Sequence, residues 1–232
     1  MRADLYTANA LNISRNKASE MIKNGEILLD GEILSKPSLE IDSGNIVARS
    51  KIYVSRAALK LKSFLKEVPL DLAGKSAIDV GSSTGGFVQI LLENGVKEVV
   101  AVDVGSSQLS EILRDKANVV IKENCDIRDF KSDKSFEILT CDISFISLNL
   151  VLDKISQLFS EFAILLFKPQ FEVGKDTKRD KKGVVVDKKA IEKAAKRFEL
   201  NAAKLGLLMI DKKASKVLGK DGNEEIFYLF KK

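Results

Sequence analysis

The chain has 232 residues (25.6 kDa), 45% of them apolar and 31% charged, a globular composition with room for one ordinary domain and a small one. Histidine is absent, which excludes His-based nucleophile systems, a histidine general base and histidine metal ligands. Two cysteines, Cys125 and Cys141, are too few for a four-thiolate zinc site, so no metal is expected. No run of 18 uncharged apolar residues occurs, so no membrane span is expected, and the cysteines read as reduced thiols of a cytoplasmic protein. The net charge of +5 is unevenly spread: residues 168–197 hold 11 Lys and Arg against 5 Asp and Glu.

Residues 1–50 read as a small α+β unit. Ser14 caps a helix that runs to Gly25, with Ala18, Met21 and Ile22 on its apolar face and Arg15, Lys17 and Lys23 off it. By pattern alone those cations form a solvated face. Ile27 to Leu34 reads as a hairpin turning at Asp30-Gly31, and Asn45–Ala48 as a closing strand. Residues 1–52 contain 7 basic and 7 acidic residues, so this unit carries no net charge. Residues 51–54 read as a linker, without glycine or proline, to a second domain over 55–232.

The second domain opens with a helix over about Ser55–Lys66. Strands are predicted at Ser76–Val80, Glu98–Asp103, Val119–Ile121, Glu137–Asp142 and Phe162–Phe167, with helical stretches between them and a helix at Lys188–Lys204. This is the βαβ rhythm of a parallel α/β sheet. Leu207–Ile210 and Glu225–Phe230 are two further strands with no room for a crossover helix, so the last of seven strands should run antiparallel.

After the first of these strands comes Gly81-Ser82-Ser83-Thr84-Gly85-Gly86-Phe87. A glycine turn at a strand's carboxyl end is where an open α/β sheet binds nucleotide-like ligands. It is neither G-x-G-x-x-G nor a Walker loop. Asp79, just before it, would repel a phosphate but tolerate a sulfonium. Asp103, 22 residues beyond Gly81, suits ribose hydroxyls, and Asp126 suits an adenine edge. S-adenosylmethionine is the expected cofactor, held by Asp79, the residues from Gly81 to Phe87, Asp103, Asp126 and Phe145.

The fourth strand ends at Asp142 without the prolines of amine methyltransferases. Strand alternation turns Cys141 away from the ligand edge, against a role as nucleophile. The fifth ends in Lys168-Pro169, a lysine closing an apolar run. Alone it could be a snorkelling side chain. Beside Asp142 it can orient a hydroxyl and help remove its proton, so a sugar hydroxyl is the natural methyl acceptor.

The chain resembles the TlyA (hemolysin A) family of ribosomal RNA 2′-O-methyltransferases over nearly its whole length, and its second domain resembles FtsJ-type enzymes. The resemblance rests on residues 53–61, the turn 81–87, Val102-Asp103-Val104-Gly105, Asp142-Ile143-Ser144-Phe145-Ile146-Ser147, residues 168–175 and Gly222-Asn223-Glu224-Glu225. It implies a Rossmann-like methyltransferase fold and a catalytic tetrad of Lys60, Asp142, Lys168 and Glu225, with Glu224 as the alternative for the last place.

The first unit resembles the RNA-binding module named after a ribosomal small-subunit protein, through Arg2-Ala3-Asp4-Leu5, Ser14-Arg15, Lys17-Ala18, residues 22–25, Asp30-Gly31 and Lys36-Pro37-Ser38. RNA contacts are expected at Arg2, Arg15, Lys17 and Lys23, and at Arg56 and Lys175. Being of the short form, the chain is expected to modify a large-subunit (23S) cytidine as a monomer, with ribosomal RNA or a ribosomal subunit as partner and neither DNA nor membrane. A membrane-inserting hemolysin would need a segment that this sequence lacks. The competing expectations are a non-catalytic RNA-binding assembly factor with a retained fold and a small-molecule methyltransferase. The complete tetrad opposes the first, and the RNA-binding module opposes the second.

Overall fold

In the computed structural model, which describes residues 1–219 and 221–232, the chain divides into two units: 1–54 with 110–116, and 55–109 with 117–232. The first unit starts with a helix that the sequence pattern does not announce, α1 (Ala3–Leu11). Its buried residues are Ala3, Asp4, Thr7 and Ala8, small or polar rather than an apolar stripe. The expected capped helix is α2 (Arg15–Lys23), where the Lys17 N–H donates to Ser14 Oγ at 3.2 Å and Ala18, Met21 and Ile22 are buried. The hairpin is present as β1 (Ile27–Leu29) and β2 (Glu32–Ile33), turning through positive φ at Asp30 and Gly31, the type I′ geometry. β3 (Ile46–Ala48) pairs antiparallel on the other side of β1.

Asp4 ties this unit together. Its buried carboxylate accepts from Arg2 at 2.9 Å and Arg15 at 3.1 Å. The Arg2 guanidinium, with help from Arg15, holds the Asp4 carboxyl down at about 2. Two arginines expected to contact RNA are thus held by one acid, with about half of each side chain exposed.

In the second unit, α3 (Arg56–Glu67) precedes β4 (Ser76–Val80), α4 (Gly86–Glu93) and β5 (Glu98–Val102). A single turn, α5 (Glu111–Arg114), groups with the first unit, and β6 (Val119–Lys122) follows it. β7 (Phe136–Cys141), a short 3-10 turn at Leu148–Leu150, α6 (Leu152–Leu158) and β8 (Phe159–Phe167) come next. The chain closes with α7 (Pro169–Glu172), α8 (Lys188–Lys204), β9 (Leu208–Ala214) and β10 (Ile226–Lys231).

The helical stretch expected between β6 and β7 is not there. Among the described residues, that connection contains only turns. β8 also begins three residues earlier than its apolar run suggests, at Phe159.

The sheet order is β6-β5-β4-β7-β8-β10-β9. All neighbours are parallel except β10, which runs antiparallel to both β8 and β9. The order reverses between β4 and β7, so the crevice outside their carboxyl ends is the expected ligand position. Ile226 pairs with Phe167, so the antiparallel direction sets Glu225, just before β10, beside Lys168, just after β8. A parallel strand would start at the opposite edge of the sheet.

Phe227 on β10 stacks on Phe64 of α3 (centroids 4.7 Å apart) and on Phe87 of α4 (6.1 Å), joining the two helices that flank the turn to the antiparallel strand. All three rings are buried. We expect Phe227→Ala to cost about 3–5 kcal/mol of unfolding free energy, the usual range for emptying an aromatic core position. Urea denaturation checks this, and a loss below about 1 kcal/mol would show that the stack does not hold the strand.

Candidate active site

The glycine turn owes its shape to three residues with left-handed backbone, Ser83 at φ +45° and two glycines. Gly81 has φ +79° and Gly85, the N-cap of α4, φ +90°. A Cβ on Gly81 would sit 3.1 Å from the backbone of Ile143, so a side chain there would press on the loop after β7. Gly86 has a different role from the expected cofactor contact. Its missing Cβ lets α4 approach α3, where an added carbon would lie 2.7 Å from the Ala58 nitrogen. Neither Gly85 nor Gly86 lines the two cavities at this edge of the sheet.

The first cavity, about 390 Å³, lies between the ends of β4, β5 and β7 and is lined by Gly81, Asp103, Asp126, Ile143 and Phe145, among others. Asp103 is fixed by backbone donors: Ser83 N–H to Oδ2 at 2.8 Å and Gly105 N–H to Oδ1 at 2.7 Å. Each oxygen keeps a lone pair for a hydroxyl. Asp126 is less free than the sequence implies. Arg128 binds it through Nε and its guanidinium nitrogen at 2.5–3.1 Å and lowers its pKa. Phe145 is 88% exposed with φ +72°, an unusual conformation for a bulky residue. Its ring leans against Phe171 at 5.5 Å.

The second cavity, about 550 Å³, shares Gly81, Ser83, Asp142 and Ser144 with the first. It adds Lys60, Asp79, Ser82, Thr84, Phe87 and Lys168. Asp79 is completely buried, and desolvation pushes its carboxyl up to about 7. Thr140, its lateral neighbour on β7, donates to Oδ1 at 2.5 Å, while Oδ2 has no hydrogen-bond partner. A buried acid oxygen left open beside a cavity is what a cationic, N–H-bearing ligand would satisfy. S-adenosylmethionine, with its sulfonium and ammonium, fits Asp79 and the hydroxyl-accepting Asp103.

The four tetrad candidates form two ion pairs. Lys60 on α3 meets Glu225 at 2.6 Å, and both side chains are buried. Glu225, not the exposed Glu224, holds this place. Lys168 meets Asp142 Oδ1 at 2.7 Å and donates to Ser144 Oγ at 2.8 Å and to the Asp142 carbonyl at 3.3 Å. The approach to Oδ1 is too oblique for a hydrogen bond, so that contact is electrostatic. Cys141 is fully buried behind the site, its thiol pKa raised by burial, as strand alternation requires.

Two side chains escaped the sequence reading. Ser144 carries a hydrogen bond to Lys168. Glu172, buried in α7, accepts from Ser147 Oγ at 2.5 Å and Leu148 N–H at 2.7 Å, and burial raises its pKa. It ties the segment after Lys168 to the loop that carries Asp142 and Ser144. No local pattern marks it, because its partners lie about 24 residues away in sequence. Of the RNA candidates, Lys17 pairs with Glu20 and Arg56 donates to the Leu218 carbonyl at 2.7 Å. Lys23 and Lys175 are exposed.

A cofactor crevice at the sheet's switch point, with lysine–carboxylate pairs at the strand ends, belongs to a nucleotide-type group transferase. Residues 53–232 match the FtsJ-like methyltransferase model, and residues 1–47 match the S4 domain. The chain belongs to the FtsJ-like methyltransferase family, whose methyl donor is S-adenosylmethionine.

It is 48% identical to the 23S rRNA (cytidine-2′-O)-methyltransferase TlyA of Campylobacter jejuni, over 99% of each chain. It is 34% identical to the 16S/23S rRNA (cytidine-2′-O)-methyltransferase TlyA of Mycobacterium tuberculosis, over 92% of this chain and 83% of that one. A solved structure from Streptococcus thermophilus, labelled a hemolysin, superposes with a TM-score of 0.75 at 30% identity, over 100% of this chain and 88% of that one. Among the described residues, no helix is long and apolar enough to cross a membrane.

Asp79 gives a pH-dependent signature. Its pKa is higher in the folded protein than in the unfolded chain, so the folded state holds an extra proton between about pH 4 and 7. The stability linked to that proton is present at low pH and is lost as pH rises to about 7. Thermal melts of the cofactor-free protein should therefore show Asp79→Asn gaining on the wild type from pH 5 to 7.5. Parallel curves would mean that Asp79 ionises normally.

Proposed function

We propose that this protein methylates the 2′-hydroxyl of a cytidine ribose in large-subunit (23S) ribosomal RNA. The observation that carries this reading is the Lys168 ammonium, held between Asp142 and Ser144 on the wall of a cavity that Lys60 also lines. A relative that covers 99% of each chain is named for 23S rRNA alone.

When bound, S-adenosylmethionine supplies an electrophilic methyl group. Asp103 would hold ribose hydroxyls, and Asp79 with the turn 81–84 would face the cationic end. Lys168, steadied by Asp142 and Ser144, would orient the acceptor 2′-hydroxyl so that an oxygen lone pair faces the methyl. As the O–C bond formed and the methyl–sulfur bond broke, leaving a neutral thioether, Lys168 would take the hydroxyl proton while its ammonium handed one to the Asp142 carboxylate. Lys60, which lines the same cavity and is held by Glu225, would place a second ammonium near the acceptor ribose.

Residues 1–50 act as the RNA-binding module, 51–54 as linker and 55–232 as the methyltransferase domain. In the first, Arg2 and Arg15, aligned by Asp4, and Lys17 and Lys23 meet phosphates, which position the substrate without reading its sequence. The site draws all its residues from one unit of a single chain, which supports a monomer acting where ribosomal RNA lies, in the cytoplasm.

Lys168→Ala should lower the single-turnover methyl-transfer rate by about 10²–10⁴-fold with little change in cofactor affinity. Lys168→Arg should not rescue it, because a guanidinium stays charged. Rapid-quench assays with labelled cofactor and unmodified 23S rRNA check this, and a near wild-type rate would remove Lys168 from the chemistry. Asp103→Ala should instead weaken cofactor binding in calorimetry, with excess cofactor restoring part of the rate. Unchanged affinity would place Asp103 outside the cofactor site.

A further inference from the structure

Residues 175–186 carry Lys175, Lys178, Arg179, Lys181 and Lys182 against Asp176 and Asp180, much of the basic excess of the second domain. The segment is ordered by its own hydrogen bonds. Arg179 and Val185 form an antiparallel bridge, and the Asp180 N–H donates to the Val184 carbonyl at 2.9 Å. The Gly183 N–H closes a turn on the Asp180 carbonyl at 3.1 Å, with Gly183 at φ +83°. Asp180 Oδ1 accepts the N–H groups of Lys182 at 2.8 Å and Val184 at 2.9 Å. One carboxylate oxygen of the one acid in the turn thus serves the backbone twice, and Lys181 and Lys182 occupy the exposed tip. Among the described residues, no ion pair ties Lys175, Lys178, Lys181 or Lys182 to a carboxylate.

The hairpin is rooted at two points beside the tetrad. Arg179 donates to the Gln170 carbonyl at 3.0 Å, two residues after Lys168. The Val185 N–H donates to Oδ1 of the buried Asn223 at 3.0 Å, two residues before Glu225. A solvated charge run needs neither a braced turn nor a buried anchor. A rigid cationic prong standing at the edge of the site matches a polyanion that must be held while one of its riboses enters the cavity.

We propose that this hairpin is a second RNA-binding element: its lysines grip phosphates flanking the target nucleotide, and Asn223 and Arg179 fix the grip to the strand ends that carry Glu225 and Lys168. The inference rests on the RNA substrate proposed above and adds the surface that holds it.

The test compares three full-length proteins on in vitro transcribed, unmodified 23S rRNA, reading affinity across a salt series and methyl incorporation separately. In Lys181→Ala/Lys182→Ala, affinity should fall and the slope of log K against log salt should flatten by about 1.4–2, while cofactor affinity is unchanged. In Lys212→Ala/Lys213→Ala, a control on β9 whose lysines already face Glu199 and Asp211, the slope should stay within about 0.5 of the wild type. An unchanged slope in the hairpin variant, or equal flattening in the control, overturns the proposal. If the wild type binds the transcript but transfers no methyl to it or to ribosomal subunits, the function proposed above fails, while the hairpin is still judged on the slopes.

Discussion

Two lysine ammonium groups must be held at the edge of a buried site, and each needs a carboxylate to be held there. Burying an unpaired charge is strongly unfavourable, while a paired and hydrogen-bonded one is tolerated. The site meets this by drawing Asp142 and Lys168 from adjacent parallel strand ends and bringing Glu225 to Lys60 from the start of the antiparallel strand. Reversing the direction of β10 would carry Glu225 to the far edge of the sheet and leave Lys60 without its acid. The direction of that strand is therefore a condition for the site.

On the cofactor side acids outnumber cations: Asp142 has Lys168 and Asp126 has Arg128, while among the described residues no ion pair joins Asp79 or Asp103 to a cation. Asp79, Asp103 and Asp142 converge around one glycine turn, and each of Asp103 and Asp142 raises the pKa of Asp79. Backbone N–H groups relieve Asp103, and a single threonine hydroxyl relieves Asp79. The remaining imbalance is negative, which suits a positively charged methyl donor and disfavours a pyrophosphate. The proposed RNA surfaces are cationic and lie on other elements, so the two charges are separated in the fold much as they are between the two ligands.

Precision in the acceptor half comes from braces outside the tetrad. Glu172 joins the segment after Lys168 to the loop after Asp142 through Ser147 and Leu148, and the Arg197 guanidinium donates to the Glu172 carbonyl at 2.9 Å. Asn223 plays a comparable part for the segment before Glu225. These contacts limit how far Asp142, Lys168 and Glu225 can drift, and a drift of about 1 Å is enough to cost orders of magnitude in rate.

What the sequence by itself determined is whatever local chemistry encodes. The capped helix after Ser14, the Asp30-Gly31 hairpin, the apolar strands that stop just before Gly81, Asp142 and Lys168, and the 17-residue α8 all follow from spacing and turn residues. The antiparallel last strand was legible too, because the short stretch before Glu225 leaves no room for a crossover helix.

Tertiary structure decided what depends on distant partners. α1 packs through Ala3, Asp4, Thr7 and Ala8, so no apolar period marks it. Gly86 looks like a cofactor glycine until α3 is seen packed against it. Glu224 and Glu225 are equivalent in composition, and only the pairing of Ile226 with Phe167 selects Glu225 for Lys60, 165 residues away. Side chains that act through long-range contacts carry no local signature, because the forces that place them arise only once the sheet has formed.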